Sequence, residues 1–354
     1  MENDIGFLVR VNCMTYNQSS YIEDAMNGFC IQQTNFPFLC VIVDDASTDG
    51  EPEVIMKYLD DNFDRIIIEL STEDETDEYI RIFARHKENN NCFFCVLLLK
   101  YNHSSAKKAK LTNIEGLINP IKYIALCEGD DYWTDPLKLQ KQVEFLDANE
   151  DYVLSFHDAK IVDADKNIIA ESKIERYYTR EMCRDWSEYE LMCGYAPPTP
   201  TVIYRSDTYR KVLSERSKHS AKNIVNGDTV VASIIGKYGK AKFHDDIANS
   251  VCRVHSGGVW QNKSDLYKNQ SHYNLYTFLQ RIHKRNKYVN EHMNNTRFNI
   301  VKRIIRISIA EKEKRIFFKY YVILWMLMLK KFNMKTMYVV NRDIVHWIRL
   351  RNVK

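Results

Sequence analysis

The chain has 354 residues, 45% of them apolar and 27% charged, enough for one large domain or a domain with an appendage around an ample core. Its nine Cys follow no framework spacing, and Met1-Glu2-Asn3-Asp4 lacks the basic and apolar regions of a secretory leader. The expectation is therefore reduced thiols in a cytosol rather than a disulfide scaffold. The net charge of +3 hides an asymmetry: residues 261–354 hold 21 Lys or Arg against 5 Asp or Glu, and the rest holds 29 against 42. This predicts two regions, 1–260 and 261–354.

In chain order, the first region alternates strand and helix signals. Apolar runs at residues 7–13, 38–43, 92–99 and 123–127 read as buried strands, and amphipathic stretches at 21–33 and 137–149 read as helices. Such alternation argues for a mostly parallel central sheet flanked by helices, an α/β fold. Between the second and third runs, residues 71–79 open with an N-cap Ser and several acids, then Ile80, Phe83 and Ala84 fall at helical spacing. That pattern predicts an extra surface helix. Cys92-Phe93-Phe94-Cys95 has the spacing of a metal site, but it lies in an apolar run with no second pair nearby, so a core strand is expected.

Two of the buried runs end in acids. Residues 39–43 lead into Asp44-Asp45-Ala46-Ser47-Thr48-Asp49-Gly50, and residues 123–127 lead into Glu128-Gly129-Asp130-Asp131. Carboxyl ends of strands are where open α/β sheets bind ligands. Three carboxylates packed together repel one another, and a divalent cation among them relieves this; hard oxygens suit Mg²⁺ or Mn²⁺. The plain structural reading of the second turn is a helix start at Thr134-Asp135-Pro136.

Taken together, the opening strand and turn with Thr15-Tyr16-Asn17, the helix through Gln32-Gln33, the segment Val43 to Asp49, and Cys127-Glu128-Gly129-Asp130-Asp131-Tyr132-Trp133 resemble family 2 glycosyltransferases, the nucleotide-sugar-dependent class with the GT-A fold. The resemblance covers about residues 5 to 260. The Glu128 segment stands where that family carries its D-x-D motif, with Glu in place of the first Asp, which shifts the expected metal contact to Asp130.

What the resemblance implies can be placed on residues. Asp44 or Asp45 would accept a hydrogen bond from the uracil N3–H, with Thr15 and Tyr16 beside it. Asp130, with Asp131 or Glu128, would hold a Mn²⁺ or Mg²⁺ ion that neutralises the diphosphate. His255, in the segment Cys252-Arg253-Val254-His255, would reach the metal or the diphosphate. Asp228, ahead of the amphipathic stretch 229–235, would be the base that deprotonates the acceptor; its structural alternative is a helix cap. Lys107, Lys108 and Lys110 read as a solvated basic loop, and Tyr132 and Trp133 as core aromatics or stacking surfaces. Residues 197–201 look like the approach to an acceptor-side strand.

The basic region has helical periodicity. Its most apolar stretch, residues 316–329, has a Lys inside and is too short to span a bilayer, which takes about 20 residues. An interfacial helix on the inner face of the cytoplasmic membrane and a helix packed on the catalytic domain are both open. No nucleic-acid module is present to use the charge. The expected function is an inverting glycosyltransferase acting on a nucleotide-sugar donor, UDP-linked, and a saccharide or lipid-linked acceptor in cell-surface polysaccharide synthesis. The alternative from another class is a catalytically silent sugar-nucleotide or polysaccharide-binding scaffold.

Overall fold

A computed structural model describes residues 6–65, 75–106, 108, 121–218, 224–258 and 260–331. The elements run β1 (Val9–Thr15), α1 (Ile22–Cys30), β2 (Phe38–Asp44), α2 (Glu51–Asn62), β3 (Phe63–Arg65), β4 (Tyr79–His86), β5 (Cys92–Leu99), α3 (His103–Ala106), β6 (Tyr123–Leu126) and α4 (Lys138–Ala148). There follow β7 (Tyr152–Phe156), β8 (Ala159–Val162), β9 (Ile168–Ala170), α5 (Lys173–Tyr177), α6 (Glu188–Met192), β10 (Ile203–Arg205), α7 (Ser206–Ser217), α8 (Gly227–Ile235), β11 (Lys240–Phe243) and β12 (Ser250–Arg253). Three long helices close the described chain: α9 (Asp265–Ile282), α10 (Lys287–Ala310) and α11 (Lys314–Lys331). The chain divides into two compact units, residues 1–188, 196–213 and 235–257 in the first, and 189–195, 214–234 and 258–354 in the second.

The first unit is a mixed α/β layer structure on a nine-stranded sheet of order β11-β7-β10-β6-β1-β2-β5-β4-β3. Its centre is parallel: β1 pairs with β2 and β6, and β2 with β5. All seven residues of β2 are buried, which is why a continuous apolar run rather than an alternating one encodes it. β10 is antiparallel between β6 and β7, and a second sheet has the order β12-β8-β9. On one face Ile22, Met26 and Phe29 of α1 and Leu139, Val143 and Leu146 of α4 join a core with Val9, Val11, Phe38 and Phe94. Gly28 is needed there, because a Cβ would come within 2.8 Å of the Trp133 backbone nitrogen. Cys92 and Cys95 are buried in β5, as the apolar run suggested.

The helix expected around residues 71–84 is not formed where the chain is described. Residues 71–74 lie outside the described part, and 79–86 are β4, antiparallel to β5 from Tyr79 opposite Leu99 to Arg85 opposite Phe93. The backbone groups along β5 need partners, and the alternation that decides the matter has period two. Tyr79 and Phe83 pack with Leu39, Val41 and Phe93, while Ile82 and Ala84 sit against the opposite face with Phe94. Ile80, which the helical spacing placed inward, is 37% exposed. Aromatic and β-branched residues suit a pleated surface, and sheet pairing overrides the weak helical pattern.

In the second unit, side-chain caps fix the helix starts: Ser264 accepts from the Tyr267 N–H and Asn286 from the Val289 N–H. Val301, Ile304 and Ile305 of α10 cluster with Tyr320, Leu324 and Met328 of α11. The His283 ring nitrogen Nε2 meets the Ser233 hydroxyl at 2.9 Å, and that hydroxyl donates to the Met192 carbonyl.

One buried charge in the first unit makes stability depend on pH. Lys138 is fully buried, its Nζ donating to Gln142 Oε1 at 2.8 Å and lying 4.2 Å from the centre of the Trp133 ring. Burial lowers its pKa to about 7. A folded-state value below the unfolded one penalises folding fully below about pH 7, and the penalty is relieved as pH rises toward 10.5. Lys138→Met should therefore be most stabilising near pH 6 and lose most of that advantage by pH 9.5, measured by urea unfolding at both pH values; parallel pH profiles for the two proteins would refute the assignment.

Candidate active site

β1, β2 and β6 are adjacent and parallel, and β1 connects to a neighbour on one side while β6 arrives on the other. The carboxyl ends of these strands thus frame the crevice at which the strand order reverses. Three loops meet there: Thr15 to Gln18 after β1, Asp44 and Asp45 after β2, and Glu128 to Asp131 after β6. The loop after β6 is laid against the first by Gly129, whose N–H donates to the Met14 carbonyl at 3.1 Å. A Cβ on Gly129 would stand 2.6 Å from Gln18 Oε1 and 2.7 Å from Thr15 Cβ, so only Gly allows this approach.

The five acids of these loops have different situations. Asp45 accepts the N–H groups of His103 at 2.7 Å and Ser104 at 3.2 Å. Asp44 accepts the Ser47 N–H through Oδ2, while its Oδ1 is buried and has no partner among the described residues; burial raises its pKa. Asp131 is buried, accepts the Arg253 N–H at 2.9 Å, and has its pKa pushed well up, first by burial and then by Asp130. Asp130 meets His255 Nε2 through Oδ2 at 3.0 Å, and its Oδ1 is buried with no partner among the described residues. Glu128 is exposed.

Arg253, at the end of β12, assembles the half of this set that holds Asp130 and Asp131. Its guanidinium donates to the Asp130 carbonyl at 3.1 Å, the Ala164 carbonyl at 3.2 Å and Asp24 at 2.7 Å, and it lies 4.6 Å from the centre of the Tyr21 ring. The same ring meets His255 edge-on at 4.8 Å. Tyr132 and Val251 exchange two backbone hydrogen bonds, of 3.1 and 2.9 Å, which binds the acidic loop to β12. His255 and Asp130 are in this way brought together from positions 125 apart in sequence.

Among the described residues no three His, Cys, Asp or Glu side chains converge as a protein-only metal cluster. The Asp130–His255 pair with its open carboxylate oxygen fits a cation that takes most of its ligands from elsewhere, as Mg²⁺ and Mn²⁺ do when they bind phosphate oxygens and water. Of the other expected residues, Thr15 is buried, and Tyr16 is 46% exposed. Trp133 is core, its Nε1 donating to the Pro200 carbonyl at 2.6 Å. Lys108 pairs with Glu78 at 2.6 Å, whereas Lys107 and Lys110 lie outside the described residues. Asp228 belongs to the second unit, exposed in the first turn of α8, its Oδ1 accepting the Thr229 N–H at 2.7 Å.

Sequence reasoning missed Glu51, which follows Gly50 at φ 89° and opens α2. Its composition-level reading is an acid complementing the helix dipole. In the structure it is fully buried and turns back into the site, accepting from the Thr15 hydroxyl, the Gln18 N–H at 2.9 Å and the Ser47 hydroxyl at 2.8 Å. Burial raises its pKa. The run Asp49-Gly50-Glu51-Pro52 gave one usable signal, an acid held beside a left-handed Gly.

The sequence profile of the family described as Glycosyl transferase family 2 matches residues 13–75, which include the loops after β1 and β2. Over that segment the chain is similar to glycosyltransferase family 2. It is 33% identical over 195 residues to an uncharacterized protein of Mycobacterium bovis, a match covering 54% of this chain and 45% of that one. It is 28% identical over 139 residues to a putative teichuronic acid biosynthesis glycosyltransferase of Bacillus subtilis, covering 39% of this chain and 42% of that one. The chain therefore aligns with less than half the length of these relatives. In fold it resembles a mannosyltransferase of Pyrobaculum calidifontis solved with GDP-Man and Mn²⁺, at a TM-score of 0.54 and 13% identity over 98% of this chain and 87% of that one.

The Glu51 contacts generate a direct test. Glu51→Ala leaves the Ser47 hydroxyl and the Gln18 N–H without their acceptor and the Thr15 hydroxyl with Gln18 Oε1 alone, a loss of about 2–4 kcal/mol, and Glu51→Gln, which keeps one acceptor oxygen, should lose less. Urea unfolding of the full chain measures both. Equal losses for the two variants would show that the carboxylate does not organise the loops.

Proposed function

We propose that the chain is an inverting glycosyltransferase that moves a sugar from a nucleotide-sugar donor, UDP-linked, to a hydroxyl of a saccharide or lipid-linked acceptor in cell-surface polysaccharide assembly. Residues 1–260 form its catalytic domain, and it works at the cytoplasmic face of the membrane. One observation carries the reading: the pair of Asp130 and His255, with a buried unpartnered carboxylate oxygen, stands beside Asp44 and Asp45 at the carboxyl ends of the central strands. The match of residues 13–75 to the family 2 profile supports the reaction class, and similarity to the putative teichuronic acid enzyme supports a polysaccharide product.

In this reading the nucleobase N3–H donates to Asp44 or Asp45, and Tyr16 offers an exposed ring beside it. Asp130 and His255 hold a divalent cation, which when bound supplies positive charge to the leaving diphosphate. Asp131 orients the closing segment through the Arg253 N–H rather than binding the ion directly. Asp228 takes the proton from the acceptor hydroxyl as its oxygen bonds to the anomeric carbon. The bond from that carbon to the diphosphate oxygen breaks, the electron pair leaves with the nucleoside diphosphate, and the configuration inverts.

Asp130→Asn removes one negative charge from the cation site and should weaken Mn²⁺-dependent UDP binding as well as transfer. Asp228→Asn should leave that binding near normal and lower transfer by about 10²–10⁴-fold. Calorimetry with UDP and Mn²⁺ and a turnover assay on a panel of nucleotide sugars separate the two. Transfer at the parent rate by the Asp228 variant would leave that residue a helix residue only, and UDP binding with no turnover on any donor would favour the silent scaffold.

A further inference from the structure

The transfer reaction gives α11 no task, yet its two faces differ sharply. Tyr320, Leu324, Leu327 and Met328 are buried in the cluster shared with α10. On the opposite side Phe318, Val322, Met326 and Leu329 are 63%, 51%, 57% and 59% exposed. Their spacings of four, four and three place them in one stripe along the helix. Arg315 and Lys319 are exposed at its head, and the helix, Lys314–Lys331, has five basic residues and no acidic one. A contiguous apolar stripe in water marks a surface that meets something else.

Charge decides among the occupants. A second copy packed about a two-fold axis would set this basic helix against its own image. Residues 332–354, which follow it, carry five Lys or Arg against one Asp, the same sign again. An anionic lipid surface answers both features, with acyl chains for the stripe and headgroups for the Lys and Arg side chains. Spanning is not required, and among the described residues no helix is long and apolar enough to cross a membrane. We propose that the outer face of α11, Phe318, Val322, Met326 and Leu329 with Arg315 and Lys319, lies in the interface of an anionic bilayer. This deepens the membrane-side reading of the proposed function, and its readout is independent of sugar transfer.

The test uses the full chain with phosphatidylcholine vesicles, with and without phosphatidylglycerol, and the double variant Val322→Glu/Met326→Glu. The parent should sediment with the anionic vesicles at least about tenfold more strongly than with neutral ones. Binding should fall as salt rises from about 0.1 to 1 M, which shortens the screening length from about 10 to 3 Å. The double variant should lose at least about tenfold in partitioning while keeping the parent's melting temperature and elution volume, since both side chains already face water. Equal binding of parent and variant, or no preference for anionic lipid, overturns the proposal. A variant that elutes at half the parent's mass shows that a second copy covers the face, and one that melts well below the parent shows that part of the same chain does; either result also overturns it.

Discussion

The Arg253 guanidinium is the charge on which the polar end of the first unit depends. Its side chain is 1% exposed, and a cation so far from water persists only if its donors and its charge are both met. It is met by two carbonyls, the Asp24 carboxylate and the faces of Tyr21 and Tyr132. Those partners come from α1, the residue that precedes it, the acidic loop and the segment after β8. Replacing the guanidinium would therefore leave several segments with unpaired groups at once, and an ammonium could not reach them in the same fork. The location of Asp130 and His255 follows from this one residue, because its side chain fixes the loop that holds the first and its backbone leads two residues on to the second.

The second constraint is repulsion. Asp44, Glu51, Asp130 and Asp131 crowd the ends of three strands, and burial together with neighbouring carboxylates raises the pKa of Asp44, Glu51 and Asp131. The protein answers this in two ways. Asp45, Asp131 and Glu51 are given N–H or hydroxyl donors from the backbone and side chains around them, which turns them into braces for the loops. Asp44 and Asp130 each keep an oxygen buried and unmatched. A folded chain tolerates a buried unsatisfied acceptor at a cost of about 1–3 kcal/mol, and two of them at one rim are where a ligand's donors or a cation would recover that cost.

Much of this was legible in the sequence. The strands were read from apolar runs because a parallel centre buries both faces, so β1, β2, β5 and β6 needed no periodicity argument. The acids were legible because they follow those runs directly, and strand ends in this topology face one crevice. β4 was not legible: Ile80, Phe83 and Ala84 match a helix as well as a strand, and only the unpaired edge of β5, invisible in sequence, selects between them. Glu51 was missed for a related reason. An acid in the first turn of a helix has an adequate local explanation, and nothing local reveals that Thr15, Gln18 and Ser47 converge on it. Asp131 shows the same limit: its place in the motif suggested a metal ligand, and nothing local reveals that it is buried and accepts the Arg253 N–H.

The long helices show why sequence left the basic region divided between two readings. A helical stretch with apolar residues all round reads equally as a buried helix or an interfacial one, and residues 316–329 are of that kind. In the structure the two halves of the pattern separate. Tyr320, Leu324, Leu327 and Met328 complete a core with α10, and Phe318, Val322, Met326 and Leu329 do not. The first set is sufficient to hold the helix in place, since it joins Val301, Ile304 and Ile305 in one cluster. The second set therefore adds nothing to that cluster, and water disfavours it by about 25 cal/mol for each Å² left bare. Polar residues on that face would have served the packing with α10 equally well, so among the described residues nothing in the bundle calls for Phe, Val, Met and Leu there.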